Sequence, residues 1–187
     1  MSNLAQIIDL GKSALDAVIA LFFTHFTRPL DSRFVDFSLD VNSSELVITS
    51  KEESSSGEVG IYRGQYRWPY QKADLSLVIP HPLAIQAEYP MTFRQLRSQL
   101  LTRYQIVLEE NEVSLANGGP GLTDDDNIAT PLINQFGQFH LYATENSGRF
   151  QAGTRMTLIF IQPGRRIPLR ALFDVRAPDA LGVLAAA

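Results

Sequence analysis

Cysteine is absent from these 187 residues, which excludes disulfides, thiolate metal sites and cysteine nucleophiles. Lysine is scarce. Lys12, Lys51 and Lys72 are three of 16 basic residues, leaving 13 arginines, and a planar, weakly hydrated guanidinium is the cation that interfaces favour. Charge of either sign is never dominant: the formal net charge of -4 gives no general pull toward a phosphate backbone, so nucleic acid is not an expected partner. Long apolar runs are missing too. Ala17 to Phe23 is apolar, but Lys12 and Asp16 precede it too closely to leave the roughly 20 clean residues of a membrane span. With no basic n-region and no A-x-A site, neither a signal peptide nor a membrane segment is expected.

Motifs for chemistry are equally sparse. There is no P-loop, no dinucleotide fingerprint and no G-x-S-x-G elbow. His25, His81 and His140 lie far apart and none has a second ligand type two or four residues on. The acidic runs Glu109-Glu110-Asn111-Glu112 and Asp124-Asp125-Asp126 could in principle hold a cation, but the latter lacks EF-hand spacing and its distal Glu. The residues therefore nominate no catalytic, cofactor-binding or metal-binding set, and the expectation is a protein that is not an enzyme and carries no cofactor.

Periodicity is informative. Leu4, Ile8, Gly11, Leu15, Val18 and Phe22 recur at spacings of three and four, predicting an N-terminal amphipathic helix within residues 1–28, with Asn3 and Gln6 at capping-box spacing and Pro29 as its latest end. The period then becomes two. Val35, Phe37, Leu39 and Val41 predict a half-buried strand, with its partner at Leu46 to Thr49. Tyr62, Tyr66, Trp68 and Tyr70 share one parity of a strand between Val59 and Tyr70. Leu75, Leu77 and Ile79 suggest another, and His81 to Pro90 reads as irregular. Thr92 and Gln95 open a second helix carrying Phe93, Leu96, Leu100 and Tyr104 on one stripe. Phe139, Leu141 and Ala143, then Met156, Leu158 and Phe160, mark two late strands joined near Asn146-Ser147-Gly148. The fold class is α+β: a mainly antiparallel β domain (29–176) with one inserted helix, preceded by the N-terminal helix and followed by an apolar tail (177–187).

Two surfaces follow. The helix stripe (Leu4, Ile8, Leu15, Val18, Phe22) and the tail (Leu181, Leu184) have the character of partner-binding elements, the stripe alternatively folding back on its own sheet. The aromatic strand, with Tyr62, Tyr66, Trp68 and Tyr70, offers a glycan-stacking alternative, or simply core.

The segment Thr92 to Ile106 (TFRQLRSQLLTRYQI), continuing through Glu109-Glu110-Asn111-Glu112-Val113, resembles a helix and acidic turn of virion structural proteins from tailed bacteriophages, and Thr154 to Ile159 is similar to a strand of the same group. The resemblance spans about a third of the chain. It implies a multi-copy tail, baseplate, neck or fibre-attachment component that is assembled in the host cytoplasm into the virion. Its partners would be other virion proteins and copies of itself in a symmetric oligomer.

Overall fold

A computed structural model of the chain describes residues 8–26, 30–54, 56–86, 90–128 and 138–161. They form two hydrophobic cores, each a helix laid on a sheet. The architecture is α+β with mostly antiparallel pairing, as the alternating patterns predict.

Helix α1 (Ala14–His25) begins later than the stripe suggests. Ser13 is its N-cap, accepting from Asp16 N, and residues 8–13 run up to it as a non-helical strap. The amphipathic stripe starts only at Ala14, so Ile8 and Gly11 belong to the strap and not to the helix. Leu4, Asn3 and Gln6 lie outside the described residues, as do Leu181, Leu184 and the whole 177–187 tail. Ala14, Ala17, Val18, Leu21 and Phe22 form the buried face. They pack on a three-stranded antiparallel meander, β1 (Val35–Asp40), β2 (Glu45–Ser50) and β3 (Gln65–Pro69), ordered β1-β2-β3. The register sets Phe37, Ile48 and Tyr66 in one row, and Leu39, Leu46 and Trp68 in the next. Val18, Leu21, Phe22, Val35, Leu46, Ile48, Trp68 and Tyr70 make the first core.

Leu75, Leu77 and Ile79 are not a strand. Asp74 caps a one-turn helix, α2 (Leu75–Val78), by accepting from Ser76 N. This buries Leu75 and Ile79, four apart, while Leu77 is 77% exposed. The stretch read as irregular contains a short strand, β4 (Leu83–Gln86). Helix α3 (Phe93–Tyr104) has the predicted reciprocal capping box between Thr92 and Gln95. Strands β5 (Val113–Ser114), β6 (Gln138–Ala143) and β7 (Arg155–Ile161) complete a sheet ordered β4-β7-β6-β5. Among the described strands only β4 runs parallel to its neighbour. Phe93, Leu96 and Leu100 of α3 meet Phe139, Leu141, Met156, Leu158 and Phe160 in the second core.

The edge of this sheet is closed by side chains. The Tyr104 hydroxyl accepts from Ala84 N at 2.9 Å and donates to Ala84 O at 2.8 Å. The Gln99 amide does the same for Gln86, at 2.9 and 2.7 Å. Two residues of α3 thus stand in for a neighbouring strand, which is one way to blunt an edge against pairing with other chains. The double variant Gln99→Ala/Tyr104→Phe should lose about 1–3 kcal/mol in denaturant titration. It should also show increased thioflavin-positive aggregation on storage, since the uncovered edge becomes a template.

Candidate functional site

Two features stand out from the ordinary core: a buried charge cluster and an exposed aromatic patch.

The charge cluster is built around Arg149, fully buried, and Glu112, 2% exposed. Arg149 lies in the connection between β6 and β7, and Glu112 in the acidic turn before β5. Arg149 Nε donates to Glu112 Oε1 at 2.8 Å and Nη2 to Oε2 at 2.9 Å, a bidentate pair. Nη1 donates to Lys12 O at 2.7 Å, Nη2 also donates to Val107 O, and the guanidinium sits 4.9 Å from the Phe150 ring centroid. Glu112 receives further donors from Ser147 Oγ at 3.2 Å and Glu109 N at 3.0 Å. Four donors fill the carboxylate and four N–H groups of the fork are matched. A carboxylate held this completely lacks a free lone pair for substrate. Its chemistry is that of a clasp.

The neighbouring carboxylates are also committed inside the chain. Glu109 Oε1 accepts from Ala14 N at 3.0 Å, placing a negative charge at the N-terminus of α1, where the helix dipole favours it. Glu110 Oε1 accepts from Asp124 N at 2.8 Å. Asp124 is bound by Arg97 at 2.6 Å and Arg94 at 3.3 Å, and Asp126 by Thr123. Among the described residues no three His, Asp or Glu side chains converge as a metal site. No described helix is long and apolar enough to cross a membrane.

The aromatic residues divide sharply. Trp68 and Tyr70 are 9% and 7% exposed, under α1. Tyr62 packs partly against the same core, and its hydroxyl accepts from Asp31 N at 3.0 Å. The expected glycan platform is therefore largely interior: of its four rings only Tyr66, 50% exposed, is open. It is open because α1 ends at His25, short of covering that corner of the sheet. There Tyr66 meets Phe26 at 6.4 Å between centroids. Phe26 stacks on Phe22 at 4.5 Å, and Phe23 lies edge-on to Phe22 and Phe37. Phe23 and Phe26 are each 38% exposed. Phe26 and Tyr66 thus meet at the surface over the first core, and Phe23 joins them through the buried Phe22.

The stripe residues expected to bind a partner are occupied within the chain. Val18 and Phe22 are buried in the first core, Leu15 packs against it, and Ile8 of the strap is buried as well. Of the alternatives open to the stripe, folding back on its own sheet is what the structure has.

His140 lies on β6 with Nδ1 3.1 Å from Thr157 Oγ1. Burial, and to a lesser degree the nearby Arg155 charge, lower its pKa below the ordinary 6.5. The unfolded chain therefore takes up this proton first, and stability falls as pH drops through about 6.5, the loss ending below the folded-state value. Denaturation midpoints of His140→Gln should lack that slope between pH 7 and pH 5.

Comparison with protein-family models, with curated proteins and with solved structures gives no match for this chain.

Proposed function

We propose that the chain is a structural subunit of a tailed-bacteriophage virion, present in several copies, with the Phe23-Phe26-Tyr66 patch as a contact to its neighbours. The patch carries this reading. Three aromatic rings clustered on a surface, backed by a rigid core, are the kind of anchor that supplies most of the energy of a protein contact. Exposed apolar groups of this kind are the informative exception on a soluble surface. The resemblance of Thr92 to Val113 to the helix and acidic turn of virion proteins supports the choice of assembly. In this chain that segment is α3 with the turn that holds Glu112, the framework on which the clasp is built. The tightly engaged carboxylates and the interior position of Trp68 and Tyr70 favour a scaffold over a glycan-binding module.

The test is incorporation. A Phe23→Ser/Tyr66→Ser chain, shown to be folded by circular dichroism, should fail to enter particles that the unaltered chain enters. It should lose about 1–3 kcal/mol through the ring contacts with Phe22, Phe37 and Phe26, so incorporation is compared at a temperature where circular dichroism shows both chains folded. Incorporation at the level of the unaltered chain would remove the patch from the assembly contacts.

A further inference from the structure

The two cores share no residues, and the polypeptide passes between them twice. It enters the first core at residues 12–14 and returns at residues 70–73. The strap before the first crossing belongs to the second core: Leu10 packs against that core, and Val107 N donates to Leu10 O at 2.8 Å. Residues 14–70 are therefore inserted between the strap and the rest of the second core.

Both ends of the insertion converge on one short stretch, Ser147 to Phe150. The Tyr70 hydroxyl donates to Gly148 O, and burial pushes its pKa up to about 12, so it remains a donor. A Cβ on Gly148 would stand 3.3 Å from Ala14 Cβ and 2.8 Å from Leu39 Cδ1. Arg149 Nη1 holds Lys12 O, and Arg149 O accepts from Ala73 N at 2.8 Å, so one residue grips both crossings. Phe150 roots the stretch in the second core, fully buried. Glu109 on the opposite side holds Ala14 N, and Lys72 Nζ donates to Val41 O at 3.0 Å. Among the described residues the stronger contacts between elements all lie within one core or the other.

We infer that residues 14–70 are an inserted module that docks on, and can be released as a unit from, the α3 core, pinned by Tyr70 on Gly148 O and Ala14 N on Glu109, while Arg149 and Glu112 anchor the chain just outside both crossings. Contacts concentrated at one polar joint between two separately packed cores give a low-energy opening that leaves both interiors intact. The module carries Phe23, Phe26 and Tyr66, so release reorients the whole patch relative to α3. The inference stands on the fold and is independent of the proposed virion role.

Hydrogen exchange on the full-length chain, followed by mass spectrometry, separates the possibilities. Gly148→Leu drives a side chain between Leu39 and Ala14, and Tyr70→Phe removes the second pin without adding bulk. In both variants the amides of Ala14 and Ala73 should lose protection, while that of Val107 and the ladder amides of β1, β2, β6 and β7 keep theirs. Simultaneous loss of protection in the joint and in either set of ladders would overturn the inference, since the cores would then be one cooperative unit. Unchanged protection at the joint in both variants would overturn it as well.

Discussion

Glu112→Ala lowers folding stability by about 3–5 kcal/mol, the cost of leaving a buried ion without its partner. The guanidinium of Arg149 is buried completely and offers only donors, which need an acceptor in place of the lost carboxylate. Glu112→Gln offers little relief, because its amide nitrogen would face the donors on Arg149 Nη2 and Glu109 N, which now meet Oε2. Arg149→Lys keeps the charge but cannot bridge the carboxylate, Lys12 O and Val107 O together. The double variant Glu112→Leu/Arg149→Met removes the stranded charge and leaves only the two carbonyls and the Glu109 and Ser147 donors to find other partners. It should therefore be less destabilised than the sum of the single variants, a coupling of about 1–3 kcal/mol in a urea double-mutant cycle. Against a typical domain stability of about 5–15 kcal/mol, the single substitution consumes much of the margin. A Glu112→Ala midpoint near that of the unaltered chain would mean that the pair is not the clasp described.

Val18→Asp should be the most damaging substitution in α1, at about 4 kcal/mol or more. Val18 has no exposed surface and belongs to the first core with Leu46, Ile48 and Trp68. A carboxylate there has no partner and must either be protonated or drag water into the core. Near-UV circular dichroism, which reports the packing of Trp68, should lose its signal in this variant and keep it in Phe23→Ser. That contrast separates the buried part of the stripe from the exposed part, and it bears on assembly assays. Failure of Val18→Asp to assemble would report unfolding, whereas failure of Phe23→Ser/Tyr66→Ser would report a lost contact.

The elements legible in the sequence are those whose local pattern agrees with their tertiary role. Thr92 and Gln95 cap α3 as their spacing predicts, and the alternation at 35–41 and in the two late strands matches their buried faces. The apolar spacing does not mark the start of α1, because the strap continues the spacing of the helix. The local signal that distinguishes them is Ser13 with Asp16, three residues on, which exchange hydrogen bonds at the true N-terminus. Leu75, Leu77 and Ile79 fit a period of two as well as Leu75 and Ile79 fit a period of four, and the cap at Asp74 decides between them. Strand β4 is four residues flanked by prolines, stabilised by its parallel neighbour and by side chains from α3, none of which is local.

The role of Arg149 is not legible locally for the same reason. An arginine after Asn146-Ser147-Gly148 has the signature of a solvated turn, and its carboxylate partner lies 37 residues away. The exposed rings are intermediate. Their presence was readable, but which of Tyr62, Tyr66, Trp68 and Tyr70 faced outward depended on where α1 ended above the sheet.

The most direct measurement of the proposed role is the composition of particles from the source of this chain, banded on a density gradient and quantified by mass spectrometry. The account predicts that the chain co-bands with capsid and tail proteins at a fixed multiple-copy stoichiometry that persists through repeated banding. Its absence from banded particles, or an amount that varies from preparation to preparation, would contradict a virion subunit.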